Sequence, residues 1–231
     1  MSGGRTHVLI MAKAPQPGRV KTRLCPPCTF EEAARVAEAA LADTLEAVAG
    51  SAAHRKVVAL DGPPGPWLPP GFEVLAQRGG SLATRLAHAW ADLRADAHGW
   101  GIQIGMDTPQ VTAGLLDRCL AGGGARRALL GPAVDGGWWL IGMPTSDPCA
   151  VFAGIETSRA DTGAAQARRL RSLGFSLRLA PVLRDIDTVA DLRAVATVAP
   201  DSRTATIAAH ILRGHPPVDA ADNSTRDREV A

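Results

Sequence analysis

His7-Val-Leu-Ile-Met-Ala12, running directly into Lys13-Ala-Pro-Gln-Pro-Gly18-Arg19-Val-Lys21-Thr22-Arg23-Leu24, is the stretch that decides the fold class. Its first part is an apolar run of strand length, which reads as a buried β-strand. Pro15, Pro17 and Gly18 then forbid an immediate regular helix, so the chain must make a shaped loop. That loop carries the four cations Lys13, Arg19, Lys21 and Arg23 and no acid. A strand, a glycine-containing cationic loop and a following helix suit an anion such as phosphate. Backbone N–H groups and the helix N-terminus favour negative charge, while Lys and Arg neutralise it. The G-x-x-x-x-G-K-[ST] spacing of a Walker A loop is missing. By itself the segment reads either as an anion site or as a solvated basic loop.

The rest of the chain alternates strand and helix. Thr29-Phe-Glu-Glu32 is a capping box and predicts a helix to about Gly50. Arg55 to Leu60 reads as a strand, and the five prolines and three glycines between Asp61 and Gly71 read as irregular surface loop. Phe72 to Leu75 is a short strand. Ser81 to His98 is a helix whose apolar stripe is Leu82, Leu86, Ala89 and Leu93. Trp100 to Met106 is a strand leading into Asp107, with Thr108 and Pro109 expected as N-cap and first residue of a helix to about Leu120. Ala128–Leu130 and Trp138–Ile141 are strands separated by the turn from Gly131 to Gly137. A helix is expected from Ser158, its cap, to Leu173, then a strand from Ser176 to Pro181. Thr188 and Asp191 form another capping box for a helix to about Val198. Such alternation argues for a three-layer αβα sandwich with a mainly parallel sheet and helices on both faces, a Rossmann-like α/β architecture. Residues 1–214 are read as a single domain and 215–231, polar and rich in Pro, Asp, Asn and Ser, as a disordered tail.

Bulk properties narrow the function classes. The 231 residues suit one ordinary α/β domain. A net charge of +2 makes no electrostatic case for nucleic acid. No apolar run is long enough to span a membrane, and a strand beginning by His7 leaves little room for a signal peptide, so a cytoplasmic protein is expected. Cys25-Pro-Pro-Cys28 has C-x-x-C spacing, but no second ligand pair matches it, and packing cysteines are expected.

In parallel α/β sheets the site lies beyond the carboxyl ends of the strands. That rule collects Lys13, Gly18, Lys21 and Arg23 after the first strand. Gln77, Gly79 and Gly80 follow the third strand, and Asp107 follows the fourth. Asp135, Gly136 and Gly137 lie between the next two, and Asp185 and Asp187 follow the last. Acids facing a phosphate-binding loop make electrostatic sense when Mg²⁺ or Mn²⁺ lies between them. Each also has a plainer reading: Asp107 as a polar turn residue, Asp135-Gly136 as a hairpin turn, Asp187 as a charge at a helix dipole.

Four ordered segments, V-L-I-M-A-K-A-P-Q-P-G-R-V-K-T-R-L, I-G-M-D-T-P, L-G-P-A-V-D-G-G-W-W-L-I-G and D-I-D-T-V-A-D-L, resemble the bacterial family DUF2064, from about His7 to Leu192. The resemblance implies the GT-A, or nucleotide-diphospho-sugar transferase, fold. That superfamily also contains molybdenum-cofactor cytidylyltransferases and phospholactate guanylyltransferases. It implies nucleotide phosphates at Lys13, Lys21 and Arg23, and base and ribose near Gln77 and the Gly79-Gly80 turn. Asp107 and Asp187 would be metal ligands, and Asp135, Gly136 and Gly137 would border the sugar or acceptor pocket. The chain departs from the family pattern at Ser81-Leu82-Ala83, at Trp138 and at Glu156. The expected function is a metal-dependent transferase with a nucleotide-activated donor and a small acceptor, glycosyl transfer first, with Asp135 as acceptor-side base. Nucleotidyl transfer from an NTP and non-catalytic nucleotide binding are the alternatives.

Overall fold

The computed structural model describes residues 6–94, 99–144, 148–157 and 159–214. Strand β1, His7–Lys13, is buried along all but its last residue. Its side chains alternate between two layers: Val8, Ile10 and Ala12 join one apolar cluster, and Leu9 and Met11 the other. This period of two is what a strand covered on both faces requires. β1 pairs in parallel with β2, Arg55–Asp61, and with β4, Trp100–Gly105; β3, Glu73–Ala76, extends the sheet from β2. On the other side β6, Trp138–Pro144, lies antiparallel between β4 and β5, Arg127–Pro132, and β7, Ser176–Leu179, runs parallel to β5. The seven-stranded order is β3-β2-β1-β4-β6-β5-β7. Because β6 alone among these strands is reversed, the β5–β6 turn emerges at the same edge as the carboxyl ends of β1, β2 and β4.

Helices α1, Phe30–Ala49, and α3, Ala113–Leu120, cover one face; α2, Leu82–Arg94, α4, Pro148–Phe152, and α5, Thr162–Ser172, cover the other. The expected three-layer, mainly parallel α/β sandwich is what forms. The predicted capping box of α1 is present, with Thr29 and Glu32 bonded reciprocally. Helices α6, Val189–Val198, and α7, Arg203–Gly214, pack outside α1 around Val36, Ala40, Ile186, Leu192, Ala208 and Ile211. Cys28 is buried in that cluster, and Cys25 and Cys28 are both free thiols. No helix among the described residues is long and apolar enough to cross a membrane.

Three local expectations are corrected. Thr108 does not cap α3; Thr112 does, its side chain accepting from Leu115 N–H at 3.2 Å. Thr108 is buried instead, its carbonyl closing a turn with Val111 N–H, while Asp107's carbonyl accepts from Ile186 N–H. Those bonds hold the segment away from helical geometry. Leu82 leaves the apolar stripe of α2: it is exposed and lines a pocket, while Trp90 joins Leu86, Ala89 and Leu93 in the core. Helix α5 begins at Thr162, with Asp161 in the cap position; its side chain caps no backbone N–H and instead accepts from Arg159 Nε at 3.4 Å. The expected Ser158 cap, the end of the 81–98 helix and the 215–231 tail lie outside the described residues.

Candidate active site

Asp185-Ile-Asp187 shows how the sequence builds the site. Ile186 is fully buried in the α1–α6–α7 cluster, so its flanking neighbours turn to the opposite side. The segment is pinned by the 3.1 Å bond from Ile186 N–H to the Asp107 carbonyl. Gln110 Nε2 bonds the Arg184 carbonyl at 2.7 Å, and Arg184 pairs with Asp191 of the α6 capping box at 2.7 Å. Both aspartates are thereby brought to Asp107, and one carboxylate oxygen from each of Asp107, Asp185 and Asp187 lies within 4.8 Å of the others. The sequence reads Asp107 and Asp187 as a candidate ligand pair, and Asp185 is the third carboxylate of the cluster in which they lie. Its signal was the same Asp-Ile-Asp alternation.

The cationic loop meets these acids. Lys21 Nζ lies 2.5 Å from Asp107 Oδ2 and 3.5 Å from Asp187 Oδ1, with its side chain only 10% exposed. Arg23 Nη1 lies 2.7 Å from Asp187 Oδ2. Burial alone would lower the pKa of Lys21, but the charge and hydrogen bond of Asp107, reinforced by Asp187 and Asp185, outweigh it and raise it. Burial pushes the Asp185 carboxyl up to about 6, with repulsion from Asp107, Asp135 and Asp187 adding to it. Carboxylates this close are costly unless a cation is shared among them.

A cavity of about 860 Å³ opens at this edge, of a size for a nucleotide-scale ligand. Of the residues expected in the site, Lys13, Lys21, Arg23, Gln77, Gly80, Asp107, Asp135, Gly137 and Asp187 line it, together with Arg19 and Asp185. Gln77 donates through Nε2 to the carbonyls of Ala12 and Ala59, both at 2.9 Å, joining the ends of β1 and β2. Asp135 Oδ1 accepts from Gly137 N–H at 2.8 Å.

Gly18, Gly79 and Gly136 do not line the cavity. Gly18 has φ +74 and open space around it. Gly136, at φ +88, faces protein rather than cavity: a Cβ there would lie 2.0 Å from the Ala160 carbonyl oxygen, and its own carbonyl accepts from Gly163 N–H at 2.8 Å. The Asp135-Gly136-Gly137 turn is thus seated against the start of α5.

Sequence reasoning missed several lining residues. Arg85 of α2 pairs with Asp61 at 2.7 Å and bonds the Gly79 carbonyl at 3.1 Å, holding the loop after β3. Gln103 accepts from Trp90 Nε1 at 2.8 Å beneath the cavity. Arg159, Trp138 and Thr162 form the wall beyond Asp135. Arg85 and Gln103 sit inside a helix and a strand, and Trp138, Arg159 and Thr162 at or just before the starts of β6 and α5, where no local pattern marks a residue as cavity-facing.

The fold and this pocket place the chain in the class of nucleotide-using transferases with the nucleotide-diphospho-sugar transferase architecture. Within it the chain belongs to the family DUF2064, described as an uncharacterized protein conserved in bacteria, whose profile matches residues 32–159. The cationic loop and Asp185-Ile-Asp187 lie outside that match. A solved structure from Desulfovibrio desulfuricans G20, described as a candidate nucleotide-diphospho-sugar transferase, is 26% identical with a TM-score of 0.82, covering 90% of this chain and 97% of its own. The 2-C-methyl-D-erythritol 4-phosphate cytidylyltransferase of Thermus thermophilus is 20% identical, TM-score 0.51, covering 85% of this chain and 99% of its own. Rv0371c of Mycobacterium tuberculosis H37Rv, solved in complex with manganese, is 19% identical, TM-score 0.51, covering 83% and 97% respectively. No curated protein matches the chain.

Proposed function

We propose that the protein is a divalent-metal-dependent transferase acting on a nucleotide-activated donor, and that it transfers a glycosyl group from a nucleotide sugar to a small acceptor. The observation that carries this reading is the meeting of Asp107, Asp185 and Asp187 with Lys21 and Arg23 in one cavity. An all-oxygen, all-carboxylate donor set suits a hard cation such as Mg²⁺ or Mn²⁺, which commonly shares its remaining positions with phosphate oxygens. Asp107, Asp185 and Asp187 would hold such an ion, which would supply charge neutralisation for a departing nucleoside diphosphate.

The chain's own residues do the rest. Lys13, Lys21 and Arg23 hold the donor phosphates and oppose the charge that builds on them as the glycosyl bond breaks. Gln77, its Nε2 already engaged, presents Oε1 as an acceptor toward base or ribose. Asp135, oriented by Gly137 N–H, takes the proton from the acceptor hydroxyl. Support comes from the Desulfovibrio relative, whose description names a nucleotide-diphospho-sugar transferase. A nucleotide donor puts the reaction in the cytoplasm in this reading.

One observation favours a second reading, nucleotidyl transfer. All four cations of the β1 loop, Lys13, Arg19, Lys21 and Arg23, line the cavity, which is enough positive charge for a triphosphate. Calorimetric titration with UDP-, GDP- and dTDP-sugars and with NTPs, with and without Mn²⁺, separates the readings. Metal-dependent binding of a nucleotide sugar is expected. Binding confined to a triphosphate would select nucleotidyl transfer, and binding without turnover of any acceptor would leave a nucleotide-binding protein.

A further inference from the structure

Lys21 engages two of the three carboxylates that would hold a metal ion. Its ammonium is 2.5 Å from Asp107 Oδ2 and 3.5 Å from Asp187 Oδ1. A Mg²⁺-like ion needs such oxygens at about 2.0–2.1 Å, so an ion ligated by Asp107 Oδ2 and Asp187 Oδ1 competes with the ammonium for the same two atoms. Two positive charges held that close in a partly buried site also repel strongly. The backbone at Lys21 is unusual too: among the described residues it alone, glycines aside, has positive φ, at 48°. L residues avoid this conformation, and strain of this kind persists only where the surroundings enforce it. Arg23, on the same short helical turn Thr22–Leu24, pairs with Asp187 but is 69% exposed and free to leave.

We infer that Lys21 is a resident cation that keeps the carboxylate site shut to free metal and is drawn off by the phosphates of an arriving nucleotide. Metal and nucleotide then bind cooperatively, each raising the affinity for the other, since such coupling is reciprocal. This rests on the metal-dependent reading above and adds to it a rule of entry: the ligand recognised is the metal–nucleotide pair, and the bare ion is refused. The phosphates are the only part of that ligand able to compete with three carboxylates for an ammonium.

The test is Mn²⁺ binding, read from the paramagnetic resonance signal of the free ion, for the wild type and Lys21→Met. Each protein is measured without nucleotide and then with UDP or GDP. Without nucleotide, Lys21→Met is expected to bind Mn²⁺ at least tenfold more tightly than the wild type. The diphosphate that binds should raise wild-type Mn²⁺ affinity by a larger factor than it does in the variant. Lys21→Gln, neutral yet able to hydrogen-bond the acids, is measured in parallel in case the Met variant does not fold, with the same tenfold gain expected. Equal or weaker nucleotide-free affinity in a folded variant overturns the inference while leaving the metal site standing. Absence of Mn²⁺ binding by every protein in every condition overturns the metal reading and the inference with it.

Discussion

Replacing Gly136 by Ala distinguishes two reasons for a glycine beside the candidate active site. Glycine there could admit a ligand to the backbone, as the sequence suggested, or admit another part of the protein. The structure supports the second, because an added Cβ would lie 2.0 Å from the Ala160 carbonyl oxygen. Real Cβ–oxygen contacts stand near 3 Å or beyond, so residues 160–163 must withdraw by about an ångström against close packing. The 2.8 Å bond from Gly163 N–H to the Gly136 carbonyl would be lost, at about 1–3 kcal/mol if its donor stays buried. Positive φ adds about 1–2 kcal/mol for any residue with a Cβ, offset in part by a stiffer unfolded chain. We expect a total near 3–4 kcal/mol, or roughly 6–16 °C in melting temperature for a chain of this length. Gly18→Ala is the control: it has positive φ, at +74, but nothing within 4 Å, so it should cost about 1 kcal/mol or less. Thermal melts and urea unfolding of both variants provide the comparison. If Gly136→Ala melts within about 2 °C of Gly18→Ala yet has lost nucleotide or acceptor binding, the packing explanation is wrong and the glycine serves the ligand.

His7 makes stability depend on pH. It is fully buried, both ring nitrogens lack a partner among the described residues, and burial, aided by Arg55, lowers its pKa from 6.5 to about 4. Since the folded value is depressed, the stabilisation is complete above about pH 6.5 and is lost as pH falls toward 4, amounting to about 3 kcal/mol. Urea unfolding at pH 7, 5.5 and 4.5 should show this slope, and His7→Phe should remove that share of it; an identical slope in the variant refutes the assignment. Asp107→Asn and Asp185→Asn should each weaken Mn²⁺-dependent nucleotide binding by about tenfold or more, as loss of a ligand from a three-carboxylate set does. Calorimetry with and without Mn²⁺ checks this, and metal-dependent affinity and turnover that both survive in Asp107→Asn would remove Asp107 from the site.

The layered architecture was legible in the sequence because it rests on local chemistry. The apolar run from His7 to Ala12 alternates sides in a strand whatever lies around it, and the Thr29–Glu32 and Thr188–Asp191 boxes close within four residues. The cationic loop and the strand-end acids were visible for the same reason, since prolines, glycine and charge mark a loop without help from elsewhere. What depended on distant partners was not legible. Thr108 yielded the α3 cap to Thr112 while its carbonyl bonded Val111 and Asp107's bonded Ile186. Gly136 faces Ala160, which fills the space a side chain would need, and nothing in the Asp-Gly-Gly run marks that neighbour. Asp185 joined Asp107 and Asp187 because burial of Ile186 turned both neighbours the same way. The sequence by itself determined the alternation of elements, the strand-end edge where polar residues gather, and the charges placed on it. Only the tertiary structure decided which of those charges meet, because Lys21 and Asp107 are joined across 86 residues by sheet order rather than by any local preference.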